Sequence, residues 1–158
     1  MQKITTFLWF NDQAEEAALF YASIFPNSQV SEVTHYGEGA PKPAGSAFVV
    51  TFTLDGQQFM AMNAGPEFKF NESISLYVNC KDQAEVDRYW DALTANGGEE
   101  VQCGWLKDKF GVSWQIVPEG MGALMAGHDA KANQRVMEAL FQMKKIDLAV
   151  LQAARDGK

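Results

Sequence analysis

One order of predicted elements, strand–helix–strand–strand–strand, occurs twice along this chain. In the first copy, alternating residues over 3–10 predict a strand, and apolar residues at helical spacing predict a helix over 12–25. Strands follow over 29–36, 46–54 and 57–63. The second copy has a strand over 74–79 and a helix over 82–95, then strands over 100–105, 106–107 and 112–117. A unit used twice predicts an α+β fold of two βαβββ modules, about 3–63 and 74–118.

The two predicted helices begin with the same tetrapeptide, DQAE, at 12–15 and at 82–85. An Asp with Glu three positions later is the pattern of a capping box, so both helices are expected to start with an Asp cap. The tetrapeptides lie 70 residues apart, whereas the apolar helix faces match at a spacing of 69, as Ala17 and Val86 do. Because these two spacings differ by one residue, the repeat depends on the matching element order as well as on the shared residues.

Residues 119–158 lie outside the repeat and predict a helical tail to the domain formed by residues 1–118. Glycines loosen the chain around one short helix, and an amphipathic helix follows. Its apolar residues are Val136, Ala139, Leu140, Phe141 and Met143. Because this stripe exceeds what one flank of the domain needs, we expect a homodimer. The alternative is a tail that folds back on its own sheet in a monomer.

Charge and composition exclude several classes of partner. The net charge of −7 argues against nucleic acid, because phosphate binding needs clustered Lys and Arg. No apolar run reaches the length that crosses a bilayer, and no signal peptide is visible, so no membrane partner is expected. The two cysteines indicate reduced thiols rather than a disulfide framework. We therefore expect a cytoplasmic protein.

Three segments of the sequence resemble a known family. They are FLWFNDQAEEA at 7–17, FYASIFPN at 20–27 and CGWLKDKFGVSWQIVP at 103–118. These motifs resemble the PhnB-like branch of the vicinal oxygen chelate (glyoxalase/bleomycin resistance/dioxygenase) superfamily, whose members often carry the label 3-demethylubiquinone-9 3-methyltransferase. The resemblance covers about residues 3–118. It implies paired βαβββ modules that form a cupped mixed sheet around a small-molecule cavity, usually in a homodimer.

The same resemblance implies where a metal would be held in this superfamily. By motif alignment those positions are Thr5 or Thr6, Ser75 and Gln115. Neutral hydroxyls and amides are weak ligands for a divalent ion, so we expect no metal and no other cofactor. The two histidines, His35 and His128, lie outside these positions and are expected to be solvated.

Two groups of residues are candidates for lining the cup. The polar group comes from strands whose other face is apolar: Ser75, Tyr77, Asn79, Ser113 and Gln115. The second group is aromatic or Met and includes both core and lining residues: Trp9, Phe59, Met60, Met62, Trp105 and Trp114. From these two groups we predict nine ligand-binding residues: the five polar ones and Trp9, Met60, Met62 and Trp105. Solvent-facing positions of half-exposed strands are the alternative for the polar residues.

Catalysis is not indicated by any motif, and whether the protein is an enzyme stays open. Cys103 is the one candidate nucleophile, although no histidine lies near it in sequence; Cys80 is interpreted as a packed apolar residue.

The leading hypothesis is a metal-independent binding protein or enzyme for an uncharged or mildly polar small molecule, with its reaction unknown. The alternatives are a metal-dependent lyase, dioxygenase or resistance enzyme, a dimeric scaffold with a filled cavity, and the labelled methyltransferase. The last lacks the Gly-rich strand–helix turn of the usual S-adenosylmethionine enzymes, because Asn11-Asp12 and Lys81-Asp82 contain no glycine.

Overall fold

The computed structural model describes residues 1–158 and divides them into two compact units, Met1–Lys69 and Phe70–Lys158. Each unit contains one βαβββ module, which confirms the repeat. The first consists of β1 (Thr6–Phe10), α1 (Ala14–Ile24), β2 (Gln29–His35), β3 (Ala47–Leu54) and β4 (Gln57–Asn63). The second consists of β5 (Ser75–Cys80), α2 (Gln83–Thr94), β6 (Glu99–Glu100), β7 (Trp105–Lys107) and β8 (Ser113–Pro118). The tail forms α3 (Gly120–Met125), α4 (Ala130–Phe141) and α5 (Leu148–Arg155).

Both modules form a four-stranded mixed sheet with the same topology. The strand orders are β1-β4-β3-β2 and β5-β8-β7-β6, and only the first pair in each sheet is parallel. The remaining pairs are antiparallel. A loop over residues 36–46 joins β2 to β3, and shorter connections join the other pairs. At the β3–β4 turn, Asp55 and Gly56 have φ of 47° and 80°, the left-handed conformation that a tight hairpin requires. The predicted Asp-Gly hairpin is thus confirmed.

Each helix packs across its own sheet, as the shared apolar spacing predicts. In the first unit, Tyr21 of α1 lies against Phe52 of β3, with ring centroids 6.4 Å apart, and Phe52 stacks on Phe59. In the second unit, Trp90 and Leu93 of α2 are fully buried. Because both helices cover one face only, each sheet keeps one face that no helix of its own module covers, here called the helix-free face.

The two helices start differently, although their first residues are identical. At α2 the capping box is confirmed: Asp82 accepts a hydrogen bond from the Glu85 amide at 2.9 Å, and the Glu85 carboxylate accepts one from the Lys81 amide at 2.7 Å. At α1 the capping prediction is wrong, because the helix starts at Ala14 with no side-chain cap from its own first turn. Instead, Oδ1 of Asn63 on β4 accepts a hydrogen bond from the Ala14 amide at 2.8 Å.

The predicted strand over 100–105 is largely absent. Only Glu99–Glu100 pairs with β7, and strand geometry resumes at Trp105. The reason is local: Cys103 and Gly104 have φ of 58° and 85°, which is incompatible with an extended strand. A Cβ at Gly104 would lie 2.8 Å from the Ile146 side chain, so the turn also makes room for the tail.

The tail packs within the second unit. Its helices surround Leu124, Val136, Ile146 and Leu151, all buried, and Cys103 N donates a hydrogen bond to the Met143 carbonyl at 2.9 Å. Most of the apolar stripe expected to be exposed is therefore used internally, in agreement with the fold-back alternative, whereas Phe141 remains 58% exposed. None of the helices is long and apolar enough to span a membrane.

Candidate functional site

The helix-free face of the first sheet is apolar. Leu8 and Phe10 of β1 point toward α1, so the alternation of the strand places Phe7 and Trp9 on the opposite face. The register pairs these two residues with Met60 and Met62 of β4, respectively. The predicted lining residues Trp9, Met60 and Met62 thus lie together on one face and are half-buried.

Trp9 is held by the segment that follows β4. Its indole N–H donates a hydrogen bond to the Gly65 carbonyl at 2.9 Å, and the Phe68 ring meets it edge-on at a centroid distance of 4.9 Å. The only polar atom of Trp9 is therefore already paired. What this residue offers to a ligand is a flat apolar surface rather than a donor.

The helix-free face of the second sheet carries the polar residues. The register places them in rows across the strands, with Ser75, Ser113 and Lys107 in the first row. Tyr77, Gln115 and Trp105 form the second row, and Asn79 lies beside Val117 in the third. All six second-sheet residues predicted to bind a ligand therefore share this face.

The aromatic set divides between the two faces of each sheet. Phe59 and Trp114 point toward the helices and are 6% and 2% exposed, so both are core residues. Trp9 and Trp105 lie on the helix-free faces. Strand alternation separates these roles, because neighbouring residues of a strand point in opposite directions.

The side chains at two of the positions that would hold a metal in this superfamily are hydrogen-bonded to each other. The Gln115 amide donates a hydrogen bond to Ser75 Oγ at 2.9 Å. An amide and a hydroxyl satisfied in this way present no anionic ligand to a cation. No group of three His, Cys, Asp or Glu side chains is arranged to hold a metal ion. The residues present therefore do not fit a divalent metal.

Ser113 carries an unsatisfied hydroxyl. The residue is 1% exposed, and its Oγ has no hydrogen-bond partner. A buried polar group without a partner costs about 1–3 kcal/mol of stability. An unsatisfied donor at this position calls for an explanation, and it lies on a sheet face lined with other polar residues.

Lys107 and Glu72 form an ion pair at the end of the first row. The hydrogen bond with Glu72 raises the pKa of Lys107, and the same bond lowers the pKa of Glu72. Both groups stay partly exposed, with side-chain exposures of 31% and 53%. The sequence analysis placed Lys107 in the short predicted strand over 106–107 but not among the lining residues, although its two-residue spacing from Trp105 already indicates a shared strand face.

Asp108 organises the turn before β8. It is 3% exposed and accepts hydrogen bonds from the Phe110 and Val112 amides and from the Trp114 indole, at 2.9, 3.0 and 2.9 Å. Asp as the first residue of a turn that ends in Gly111 is the sequence signal for this role. The carboxylate fixes the chain between Lys107 and Ser113.

The cysteines and histidines do not form a catalytic arrangement in the structure. The Cys103 thiol lies 3.5 Å from the Leu140 carbonyl, which accepts a hydrogen bond and is not a base that would activate the thiol. Burial raises the pKa of Cys80 to about 12, with Glu85 and Asp82 adding to the effect. His35 and His128 are exposed.

Comparison with known proteins agrees with this geometry. Two sheets of this topology, each with its helix on one face, define a glyoxalase-like α+β protein. The model of the family described as 3-demethylubiquinone-9 3-methyltransferase matches residues 2–117. The chain is 39% identical to a Bacillus cereus PhnB protein with the same methyltransferase description, over 74% of this chain and 99% of that one, with a TM-score of 0.69. The chain therefore belongs to this family, in the PhnB-like branch of the vicinal oxygen chelate superfamily.

More distant structures share the fold. A Pseudomonas aeruginosa protein is 22% identical over 75% of this chain and 98% of its own, with a TM-score of 0.61. The fosfomycin resistance protein FosX from Listeria monocytogenes, solved with Mn(II) and sulfate, is 15% identical over 79% and 97%, with a TM-score of 0.53. No curated protein matches the chain.

Proposed function

We propose that this protein binds a small molecule on the helix-free face of its second sheet, without a metal ion. The observation that carries the proposal is the set of polar side chains in register on that face, which includes the buried, unpartnered hydroxyl of Ser113. Solvent-facing strand positions would leave such a hydroxyl hydrated rather than buried. Tyr77 and Trp105 in the adjacent row supply aromatic surface for the apolar part of a ligand.

The first sheet contributes a second, apolar surface to the proposal. Trp9, Met60 and Met62 offer a flat ring and two flexible thioethers, a combination that adapts to ligands of different shape. We propose that this face also contacts small, largely apolar ligands. Neither face carries an activated nucleophile, so binding is the function that the side chains support, and no reaction is assigned.

Two measurements on the wild-type protein test this function. Native mass spectrometry of freshly purified protein should detect a co-purified small molecule. An amide-resolved NMR titration with benzamide, a neutral aromatic probe, should shift the signals of Tyr77, Trp105 and Gln115 saturably. Replacing Gln115 by Leu should weaken benzamide binding by roughly fivefold, because one hydrogen bond contributes about 1 kcal/mol. The control is Gln134→Leu, at an exposed position of α4. Unchanged benzamide affinity in Gln115→Leu would contradict the proposal.

A metal-dependent lyase, dioxygenase or resistance enzyme is the first alternative. Binding of a metal to the native state alone would stabilise the fold. We expect substoichiometric zinc, nickel, iron and manganese by elemental analysis, and no change of the melting temperature with chelator. A stoichiometric metal whose removal lowers the melting temperature would favour the alternative.

Methyl transfer is the second alternative, and the family description favours it. The usual S-adenosylmethionine fold has a mostly parallel sheet with a Gly-rich turn at the cofactor. Here each sheet has a single parallel pair, and the turns entering α1 and α2 lack glycine. Calorimetric titration with S-adenosylmethionine should give no binding heat. Saturable binding would overturn this expectation.

We also propose that the protein is a homodimer whose interface involves the tail. Phe141 and Val150 are large apolar side chains that remain 58% and 50% exposed on α4 and α5. Light scattering should give twice the 17.5 kDa mass of one chain. The double variant Phe141→Ser, Val150→Ser should be monomeric. A wild-type mass of one chain would refute the dimer, and an unchanged dimer in the variant would move the interface elsewhere.

A further inference from the structure

Lys107 is the only Lys or Arg on any of the eight strands. Every other basic side chain lies on a helix, a turn or a terminal segment. A single cation on a sheet face whose other polar groups are neutral, apart from Glu99 on the edge strand β6, sets the charge that this face can recognise. The sequence analysis led us to expect an uncharged or mildly polar ligand, because the lining residues chosen there did not include Lys107.

Lys107 lies directly beside the unpartnered hydroxyl. It pairs with Ser113 across the antiparallel β7–β8 ladder, and Ser113 pairs with Ser75 on its other side. Side chains of directly opposed residues have Cβ atoms about 5 Å apart. The two oxygens of one carboxylate can therefore accept hydrogen bonds from Lys107 Nζ and Ser113 Oγ together.

The chain already places a carboxylate on this cation. Glu72, from the loop before β5, is the hydrogen-bonded partner of Lys107, and it is 53% exposed. A pair this exposed is held weakly, so another carboxylate can replace Glu72. The second charged neighbour is Glu99, which lies opposite Lys107 on β6. With Glu99 still present, the site favours a ligand group with one negative charge over a dianion.

We propose that the row Ser75–Ser113–Lys107 binds the carboxylate of a small monocarboxylic ligand, and that Glu72 occupies the position when the ligand is absent. The Ser113 hydroxyl is covered in the free protein, so binding includes displacement of the Lys107–Glu72 pair beside it. Ser113 then donates its unused hydroxyl to the ligand, while the Gln115 amide holds Ser75 in the row. This assignment rests on the proposed function, since it names the ligand class of the same face.

The test compares three probes that share one ring: benzoate, benzamide and phenylphosphonate. Each is titrated into the full chain at pH 8, where phenylphosphonate is mostly a dianion, and at constant ionic strength, and binding is followed by amide-resolved NMR. We expect benzoate to bind more tightly than benzamide and phenylphosphonate, with saturable shifts at Ser75, Lys107 and Ser113. Lys107→Met should weaken benzoate binding roughly tenfold, the effect of one charge-assisted hydrogen bond, and leave benzamide unchanged.

Three further variants sharpen the result. Glu72→Gln should tighten benzoate binding, because the competing charge is gone. Ser113→Ala should weaken benzoate binding without lowering the melting temperature, because the lost hydroxyl has no partner in the free protein. Lys131→Met is the matched control, since it removes the same charge from an exposed position on α4 and should change nothing.

The outcomes separate this proposal from the proposed function. If benzamide and benzoate bind the face equally, and Lys107→Met affects neither, the carboxylate site is refuted while small-molecule binding stands. If phenylphosphonate binds most tightly, the preference for one charge is wrong. If none of the three probes shifts the second-sheet signals, both proposals fail.

Discussion

Removing the Asp108 carboxylate leaves buried hydrogen-bond donors beside the candidate site without their acceptor. In Asp108→Ala the Val112 amide and the Trp114 indole both lose a buried acceptor. At about 1–3 kcal/mol for each unsatisfied group, we expect a loss of about 4 kcal/mol in the free energy of unfolding. Asp108→Asn is more selective. Its oxygen keeps the two backbone bonds, whereas its amide faces the indole donor, so the expected loss is about 2 kcal/mol.

The assay is equilibrium urea unfolding at pH 7, followed by far-UV circular dichroism. A double-mutant cycle with Trp114→Phe isolates the indole bond, because Phe removes the donor. We expect a coupling of about 1.5 kcal/mol between Asp108→Asn and Trp114→Phe, the size of one hydrogen bond to a charged group. Asp55→Asn is the control. It lies at the exposed β3–β4 turn with φ of 47°, which Asn tolerates, and should leave stability unchanged.

A loss below about 0.5 kcal/mol in Asp108→Asn would refute this reasoning, because surface substitutions alone give changes of that size. A coupling near zero would mean that the Trp114 indole finds another acceptor. A fold that survives Asp108→Ala with wild-type stability would remove Asp108 as the residue that fixes the chain between Lys107 and Ser113.

Three other predictions concern the rest of the chain. Asn63→Ala should lower the free energy of unfolding by about 2 kcal/mol, because the buried cap of α1 and a hydrogen bond to β3 are both lost. Asn63→Asp keeps the acceptor that caps α1, so it should recover part of that loss in urea unfolding. At pH 8 a disulfide reagent should modify Cys103 in the native protein and Cys80 only after unfolding, since burial raises the pKa of Cys80 to about 12. Rapid native modification of one thiol per chain in both wild type and Cys80→Ser would confirm this, and two reactive thiols in native wild type would contradict it. The hydrogen bond from Lys145 lowers the pKa of Asp87, so the stability that Asp87 contributes is present above its unfolded pKa of about 3.9 and is lost as the pH falls through the lowered folded value. Lys145→Met should therefore lower the free energy of unfolding by less than about 1 kcal/mol at pH 7 and leave it unchanged at pH 2, as measured by thermal melts. A loss of stability that persists at pH 2 would contradict the ion pair as its cause.

The sequence by itself determined the features that depend on local periodicity. The two βαβββ modules follow from alternation in strands and helical spacing of apolar residues, and the β3–β4 turn follows from Asp55-Gly56. The division of each strand into core-facing side chains and side chains on the helix-free face also follows from the sequence, because neighbouring side chains of a strand point in opposite directions. For this reason the polar residues of the second sheet could be grouped before their positions were known.

Only the tertiary structure decided which residues become neighbours across strands and helices. The same DQAE sequence caps α2 and fails to cap α1, because Asn63, distant in sequence, supplies the acceptor that fixes the start of α1. The position of Lys107 beside Ser113 depends on the register of β7 and β8, which Asp108 holds. A hydrogen bond between distant residues leaves no periodic trace in the sequence, since its energy depends on geometry that exists only once the chain has folded.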